Sequence, residues 1–381
     1  MRCPRLRLIS PALLLLAPLA AGPAQVAPAG PVVTVPARIP ADCSVDVTAE
    51  LSAWIAAVPN DTTLTFPAGA CYRIDDSLRL TDRWGLVFDG NGATLRAVAD
   101  TPALAQRRHI WVSGGGRLVF RNLTIRGANP RAGTAEEAYR ADREFQHAFA
   151  LQGVSDVRLE RVAAYDVYGD FVYVGPDIGR GRTFRWSQRV TISDATFARN
   201  GRQGIAVVAG EDVLITRVSI RDVRRAVFNM EPTGDRWGAR RVRITGNTTG
   251  RSRLLWFSSY GRGYDVDDIT ITGNTMQEPS GVPVIFVVAP PGGRRGRFVI
   301  EDNTFIVTGS PAPGFRFTRV GHVTMRGNRA TFAEGRRMTA VRLIDVPEAV
   351  IQNNRFCGAA QAVEADASSR AGVSGTVTQC R

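Results

Sequence analysis

A group of polar side chains in the middle of the chain has the types that acid–base chemistry needs. His147, Asp170 and Arg225 each begin a short apolar segment, and Glu231 follows the segment that Arg225 begins. Histidine titrates near neutrality, a carboxylate can orient it or act itself, and arginine can neutralise a substrate carboxylate while a proton is removed. We predict that these four residues are catalytic. Two reactions stay open: β-elimination with His147 or a tyrosine as the base and Arg225 on the substrate carboxylate, and hydrolysis with Asp170 and Glu231 as the carboxylate pair.

The apolar segments predict a binding surface beside these residues. When the repeats are aligned, the segments are residues 147–151, 170–174, 203–207, 225–229 and 253–257. Their third and fifth residues are mostly apolar and should point inwards, so the fourth residue should point outwards. Aromatic side chains at three of the fourth positions could stack on sugar rings. The predicted substrate-binding residues are therefore Tyr173, Phe228 and Trp256, with Arg202, Gln203 and Arg253 beside them. The alternative is that the insertion at residues 131–145 covers this face.

A repeat in the C-terminal half indicates what holds these segments in place. Short apolar runs, rich in Val, Ile and Thr and alternating with polar residues as strands do, end in asparagine at the same place. The spacing varies between 25 and 29 residues while the register holds, which is typical of a stacked strand-and-turn unit. One unit is too short to bury its own apolar face, so we predict a solenoid of parallel strands. The asparagines expected to stack at one turn per coil are Asn247, Asn274, Asn303, Asn328 and Asn354.

The N-terminal part has the features of a cap for such a solenoid. Residues 47–58 place apolar side chains on one helical face, and Phe66-Pro-Ala-Gly and Asp89-Gly-Asn-Gly follow. This order resembles the N-terminus of the pectin-lyase-like superfamily. The resemblance covers about residues 45–360. It implies an all-β, single-domain right-handed parallel β-helix over residues 42–381, with a short capping helix at its start and a groove on the face of a parallel sheet.

The superfamily that the chain resembles contains polysaccharide lyases, glycoside hydrolases, epimerases, phage tailspikes and proteins with no known reaction. The full polygalacturonase set of Asn-Thr-Asp, Asp-Asp, Gly-His-Gly and Arg-Ile-Lys is absent, and so is the Asp-Pro-His of mannuronan epimerases. The resemblance therefore implies the location of a groove but does not identify its catalytic residues. It supports a protein that cleaves or remodels a polysaccharide. The alternative is a non-catalytic β-helix that binds glycans or forms part of a cell-surface structure.

The start of the chain has the pattern of a secretory signal peptide. Residues 1–24 combine a basic start, a short apolar stretch and small residues near the cleavage point, and residues 25–41 form a linker rich in Pro and Ala. No other segment is long and apolar enough to predict a membrane span. We therefore predict secretion into an oxidising compartment. Four cysteines remain and allow three connectivities. The favoured one joins Cys43 to Cys71 and Cys357 to Cys380, because each bridge would staple one end of the solenoid.

The net charge of the chain indicates which partners to expect. It is +13, every one of the 48 basic side chains is arginine, and removal of the signal peptide leaves +10. Such a field attracts polyanions, and for a secreted protein a uronic-acid or sulfated polysaccharide fits better than nucleic acid. The alternative is solvated surface charge on an arginine-rich chain. The sequence indicates no oligomeric state.

The sequence predicts no cofactor and no metal, because CxxC and HxxxH spacings are absent. The acidic run at residues 264–268 leaves only a weak calcium site open.

Overall fold

Runs that alternate Val, Ile, Leu or Phe with Thr, Ser and charged residues form strands along the chain, because this alternation turns one face of every strand inwards. The computed structural model describes residues 30–179, 181, 183–281, 283–308, 312–333 and 338–380. From Pro31 onwards the chain winds into a right-handed parallel β-helix whose successive coils add strands to three sheets. The predicted fold class is confirmed. The predicted signal peptide at residues 1–24 lies outside the described residues.

The three sheets are numbered by their order along a coil. The 13 strands of the first sheet are Val32–Thr34, Thr63–Thr65, Val87–Asp89, Gly116–Arg121, Ser155–Glu160, Ser187–Ser193, Gly210–Thr216, Gly238–Thr245, Asp265–Thr272, Arg295–Glu301, Val320–Arg326, Glu348–Gln352 and Ala371–Ser374. The 12 strands of the second sheet are Asp42–Asp46, Cys71–Arg73, Thr94–Arg96, Thr124–Arg126, Ala163–Val167, Thr196–Asn200, Ser219–Arg221, Thr248–Thr249, Thr275–Met276, Thr304–Val307, Arg329–Phe332 and Arg355–Cys357. The 11 strands of the third sheet are Leu78–Thr81, Ile110–Ser113, Phe149–Gln152, Val172–Gly175, Ile205–Val207, Ala226–Met230, Leu255–Ser259, Ile285–Val288, Phe315–Thr318, Thr339–Ile344 and Gln361–Ala365.

Loops of unequal length separate the sheets. Only two residues join Ser155–Glu160 of the first sheet to Ala163–Val167 of the second. The segment that leads from Thr124–Arg126 into the third sheet is much longer and contains the 3-10 helices Glu136–Ala138 and Ala141–Arg143. A further 3-10 helix, Pro102–Leu104, lies in the coil before it. The third sheet is therefore the one that long loops flank.

The N-terminal end of the solenoid is covered by the α-helix Thr48–Ala57, as predicted. Leu51 and Ile55 are buried in the core, and Trp54 meets Phe66 edge to face with ring centroids 6.5 Å apart. Arg83 caps the end of this helix, because its Nη1 donates to the Ile55 carbonyl at 2.9 Å. The helix thus buries apolar surface that the first coil would otherwise expose.

The predicted linker at residues 25–41 is wrong over its described second half. Val32–Thr34 pairs in parallel with Thr63–Thr65 as the edge strand of the first sheet. Val35 and Ile39 are each only 3% exposed and belong to the core. Apolar residues among the prolines are enough to dock this segment on the solenoid, so the folded unit begins near Pro31.

The repeated asparagines form a buried ladder in the turn between the first and second sheets, which confirms their predicted stacking. The Oδ1 atom of Asn274 accepts hydrogen bonds from the backbone N of Asn247 at 3.0 Å and from its Nδ2 at 2.9 Å. Asn274 in turn donates from Nδ2 to Asn303 at 2.9 Å, and the same contacts continue through Asn328 to Asn354. Every buried amide in this ladder therefore has a partner one coil away.

A second ladder, along the outer edge of the first sheet, alternates in charge. Its residues have φ between 50° and 56°, and on successive coils they are Arg117, Asp156, Arg189, Asp212, Arg241 and Asp268. Arg189 Nε lies 2.6 Å from Asp156 Oδ1, and Arg241 Nε lies 2.7 Å from Asp212 Oδ1. Much of the arginine charge is therefore neutralised by carboxylates on neighbouring coils. This agrees with the alternative given above, in which the arginines are ordinary surface charge.

Two disulfides join the cysteines in the predicted pairs. Cys43 is bonded to Cys71 with Cα atoms 5.1 Å apart, and Cys357 is bonded to Cys380 with Cα atoms 5.3 Å apart. One bridge therefore staples the first coils and the other staples the last. Among the described residues, no helix has the length and apolar character needed to cross a membrane.

Replacement of Asn274 by Ala should lower the free energy of unfolding by roughly 1–3 kcal/mol, because it leaves buried partners of the ladder without hydrogen bonds. Urea unfolding measures the change. Gln277→Ala, at an exposed position in the same coil, is the matched control and should change little. Equal effects of the two substitutions would contradict the ladder's structural role.

Removal of the first disulfide by Cys43→Ser with Cys71→Ser should destabilise the N-terminal end by about 3 kcal/mol, since the bridge closes a loop of 28 residues. Hydrogen exchange should accelerate first in the helix Thr48–Ala57 and in the neighbouring strands, while the middle coils stay protected. Uniform acceleration along the whole solenoid would show that the bridge is not a local staple.

Candidate active site on the third sheet

The outer face of the third sheet carries a column of alternating large and small side chains. Strand pairing aligns Trp111, Ala150 and Tyr173 on successive coils. Ala206 and Asn229 continue the column. Tyr173 therefore stands on the outer face, as predicted. Ala150, Ala206 and Asn229 are themselves fully buried, so neighbouring groups cover them. We call this face, with the loops that flank it, the third-sheet groove.

The structure corrects two predicted members of this aromatic column. Phe228 pairs with Ile205 and Phe257 and is fully buried, so it points into the core. Trp256 is also fully buried and donates from Nε1 to Thr249 Oγ1 at 2.8 Å. The prediction that both stack on a ligand is wrong.

Strand pairing places Asn229 and Ser258 in the column, so the alignment from the sequence is displaced by one residue at Phe228 and by two at Trp256. The one-residue slip exchanges the two faces of the strand at Phe228, whereas Trp256 turns inwards against Phe228 and Phe305.

A buried ion pair lies at the edge of this groove. Asp170 is fully buried, and Arg202 Nη1 contacts its two carboxylate oxygens at 2.8 and 3.0 Å. The backbone N of Gln203 donates to the same carboxylate at 2.9 Å. Arg202 also reaches Glu144 Oε2 at 3.3 Å from Nε, and 19% of its side chain is exposed. Arg202 therefore bridges one buried carboxylate and one that solvent can reach.

His147 supports this pair from the neighbouring coil. Its Nδ1 accepts a hydrogen bond from the Asp170 backbone N at 3.0 Å, and its ring stacks on Tyr173 with centroids 5.0 Å apart. Burial, with Arg202 and Arg108 nearby, holds the pKa of His147 well below its ordinary value. The ring is thus neutral, only 2% exposed, and occupied at Nδ1. Its geometry favours positioning Asp170 over acting as a base.

The structure also corrects the prediction that Gln203 binds substrate. Its side chain is 1% exposed, and its Oε1 accepts a hydrogen bond from the backbone N of Ala226 at 2.8 Å. A side chain that is buried and engaged with the neighbouring coil has no surface for a ligand. The prediction that Gln203 binds substrate is therefore wrong, because its amide supports the backbone of the third sheet.

A second carboxylate of the groove, Glu231, is held by hydrogen-bonded neighbours of the third sheet. Asn229 Nδ2 donates to Glu231 Oε2 at 2.9 Å, and Ser258 Oγ donates to Asn229 Oδ1 at 2.6 Å. Burial raises the pKa of Tyr260, and the nearby charge of Glu231 and a hydrogen bond to Glu231 raise it further. Glu231 is itself only half-buried. This chain of contacts holds a solvent-accessible carboxylate close to the Asp170–Arg202 pair.

The surroundings raise the pKa of both members of the buried pair, but for different reasons. Burial raises the pKa of Asp170 to about 6, although Arg202 and the backbone N–H of Gln203 oppose the shift, while the Glu231 charge adds to it. Burial would lower the pKa of Arg202, but Asp170, Glu144 and Glu231 raise it above its ordinary value. The short contacts and these directions give an ion pair at neutral pH and a protonated Asp170 in mild acid.

Arginines without carboxylate partners line the groove and its rim. Arg225 lies 4.2 Å from the ring centroid of Tyr139, while Arg108 and Arg79 lie 4.3 and 4.4 Å from Trp111. Arg253 is exposed beside the strand Leu255–Ser259. Over the described ranges, none of these four arginines forms an ion pair. Their charge is therefore available to an anionic ligand, unlike that of the charge ladder on the first sheet.

Several residues of the groove had not been singled out from the sequence. Glu144 and Tyr139 come from the long insertion, where the Tyr139 hydroxyl donates to Glu144 Oε2 at 3.1 Å. The sequence offers a signal for Asn229, because it is the one polar residue in the apolar run Ala226-Val-Phe-Asn-Met230. Trp111, Arg108 and Tyr260 had no local signal. The insertion thus forms a wall of the groove and supplies functional groups to it.

The described residues contain no group of three or more His, Cys, Asp or Glu side chains placed to hold a metal ion. In the acidic run at residues 264–268, Asp265 pairs with Arg240 at 2.6 Å and Asp268 pairs with Arg297 at 2.6 Å. These carboxylates therefore serve as partners of arginine in the surface of the first sheet.

No protein-family model and no curated sequence matches the chain. Among solved structures, an endo-xylogalacturonan hydrolase from Aspergillus tubingensis is 16% identical, with a TM-score of 0.58 over 90% of this chain and 95% of that one. The A-module of a mannuronan C-5 epimerase from Azotobacter vinelandii is 15% identical, with a TM-score of 0.60 over 89% and 93%. The catalytic unit of an α-1,3-glucanase from Streptomyces thermodiastaticus is 14% identical, with a TM-score of 0.55 over 94% and 70%. At such identities the similarity shows the shared β-helix fold.

Replacement of Asp170 by Asn tests the raised pKa of this carboxyl. Because the pKa is about 6 in the folded chain and ordinarily 3.8, folding favours the protonated form. This contribution to stability is complete below pH ~4 and is lost as the pH rises through about 6. The stability of the native protein minus that of the variant should therefore fall over this window, by something on the order of 2 kcal/mol.

Urea unfolding of both proteins across this pH window measures the difference. Asp366→Asn is the control, because the pKa of Asp366 is lowered by its hydrogen bond to Ser369 and this exposed group should give no such fall between pH ~4 and ~6. Parallel stability curves for the native protein and Asp170→Asn would contradict the raised pKa.

Proposed function

We propose that this protein is a secreted enzyme that cleaves an acidic polysaccharide in the groove of the third sheet. The observation that carries the proposal is the arrangement of two accessible carboxylates, Glu144 and Glu231, around Arg202. Both charges act on Arg202, and Glu144 is 28% exposed while Glu231 is half-buried. A pair of carboxyl groups beside a polymer groove is what glycoside hydrolysis requires.

The two carboxylates have different surroundings, which supports different parts in the reaction. Glu144 accepts hydrogen bonds from Arg202 and Tyr139, which fix the position of its carboxylate, and we assign it the part of the base that activates water or of the nucleophile that attacks the sugar carbon. Glu231 is half-buried and is held by Asn229 Nδ2 at 2.9 Å. We assign Glu231 the part of the acid that donates a proton to the oxygen of the leaving sugar. Hydrolysis is favoured over β-elimination, because His147 is buried and engaged and because burial raises the pKa values of Tyr139, Tyr173 and Tyr260, which keeps their hydroxyls protonated.

The remaining predicted catalytic residues have supporting parts in this proposal. Asp170 and His147 are buried, so they act as positioning residues that fix Arg202 and the adjoining backbone. Arg225, stacked over Tyr139, and Arg253 at the rim lack carboxylate partners and suit binding of substrate carboxylates. Tyr173 and Trp111 provide faces on which sugar rings can stack.

Secretion and the acidic substrate have support of their own. Two disulfides fit an oxidising compartment. The unpaired arginines along the groove fit a uronate polymer, and the β-helix proteins named above include a xylogalacturonan hydrolase and a mannuronan epimerase. The second candidate is a glycan-binding β-helix without catalysis, favoured by the full burial of Asp170 and of the Gln203 amide behind it.

Glu231→Gln and Glu144→Gln should each reduce turnover of a uronic-acid polysaccharide by about 100-fold or more, since each removes one proton-transfer group. A panel of pectic, alginate and glucuronate polymers is assayed for new reducing ends and for unsaturated products. Glu348→Gln, an exposed glutamate on the first sheet, is the matched control and should keep full activity. Full activity of both groove variants would remove the catalytic assignment.

The same panel separates the candidate functions. Arg225→Ala should raise KM more than it lowers kcat, and added salt should weaken binding, because an exposed charge pair is screened. Unsaturated products would show that the protein cleaves by β-elimination and not by hydrolysis. Binding without any new chain ends would support the non-catalytic candidate.

A further inference from the structure

A cleft of about 490 Å³ opens over the first sheet and shares no lining residue with the groove around Arg202. Two tryptophans, Trp84 and Trp186, line it together with small and polar residues of successive coils. We propose that this cleft is a second saccharide-binding site, which takes an uncharged oligosaccharide. The inference stands on the cleft alone and does not depend on catalysis in the third-sheet groove.

Glycines hold the two indole rings against the sheet. A Cβ atom added to Gly116 would lie 2.9 Å from Cζ3 of Trp84, and one added to Gly238 would lie 2.5 Å from Cη2 of Trp186. Trp186 is fixed further, because its Nε1 donates to the Arg236 carbonyl at 2.7 Å. Trp84 is 38% exposed. Rings that are already immobilised and still reach solvent can stack on sugars at little cost in conformational entropy.

The spacing of the rings suits a chain of sugars better than a single sugar. Trp84 bridges to Gly116, Gly116 pairs with Ser155, and Ser155 pairs with Gln188, which lies two residues after Trp186. The backbones of the two tryptophans are therefore about three coils apart. Their rings lie against Gly116 and Gly238, which are four coils apart, or roughly 19 Å at the usual separation of strands. Because Ser155 is small, the floor beside the Trp84 ring is open.

The charges in the cleft already have partners. Arg189 contacts both oxygens of Asp156 at 2.6 and 2.8 Å, and Arg240 contacts Asp265 at 2.6 Å. Glu211 is held by Arg241 at 2.8 Å. A uronate would compete with these carboxylates, whereas sugar hydroxyls need only hydrogen-bonding groups. The cleft thus differs from the third-sheet groove, where Arg225, Arg253, Arg108 and Arg79 have no ion pair within the described residues, and it suits a neutral glycan.

Titration of the full chain with hexasaccharides of glucose, mannose, xylose and galactose tests the proposal, and a uronate hexasaccharide is the contrasting probe. Calorimetry should show saturable binding of a neutral probe, and Trp84→Ala should weaken its Kd about tenfold. Tyr165→Ala is the matched control, since Tyr165 is a half-buried aromatic on the second sheet and outside the cleft. It should leave the Kd of the neutral probe unchanged.

Ser155→Ile gives an independent test, because it fills the floor of the cleft and leaves both tryptophans in place. It should also weaken the neutral probe at least tenfold, with an unchanged far-UV spectrum. The proposal is overturned if no neutral probe binds, or if both variants bind it as the native protein does. The Glu231→Gln variant distinguishes the two sites. It should bind the neutral probe with the Kd of the native protein, whether or not it loses turnover.

Discussion

Hydrogen bonding between parallel strands of successive coils is the constraint on which the rest of the structure depends. It places equivalent residues about 4.8 Å apart, so that any side chain has a like position above and below it. Inward positions such as Val157, Val190, Val213 and Val242 stack into a continuous core. Polar positions stack too, and a buried polar residue is tolerated only if its neighbour one coil away completes its hydrogen bonds. The asparagine ladder meets this requirement.

The same constraint explains the buried ion pair at the groove. A buried carboxylate is costly unless it is paired and hydrogen-bonded. Asp170 meets this condition with Arg202 and the backbone N–H of Gln203, which the next coil places in reach. The pair then presents an arginine of fixed position to the groove, beside Glu144 and Glu231. Along the first sheet, acids and arginines such as Asp156 and Arg189 pair at the exposed surface, where such pairs contribute little to stability.

Charge in this protein has two structural settings that composition alone does not separate. Along the first sheet, arginine and aspartate alternate at residues with positive φ and neutralise each other across coils. Along the third sheet, Arg225, Arg108 and Arg253 stack on aromatic rings or face solvent without a carboxylate. The net charge of +13 therefore says less about a ligand than the position of the unpaired arginines does.

The sequence by itself determined what is periodic or local. The repeat of Asn247 to Asn354, the helix Thr48–Ala57 and the two cysteine pairs follow from regular spacing or from nearness along the chain. It also places Asp170 and Arg202 on adjacent coils, and the structure pairs them there.

Only the tertiary structure decided which side chains are accessible. Phe228 turns inwards because one residue of register reverses the faces of a strand, and Trp256 turns inwards against Phe228 and Phe305. Glu144 reaches Arg202 from an irregular insertion whose path no periodic pattern describes. Burial of His147 and Gln203 likewise depends on neighbouring coils. Spacing along a chain fixes which coil a residue occupies, whereas the pairing register and the loops fix which way its side chain points and what covers it.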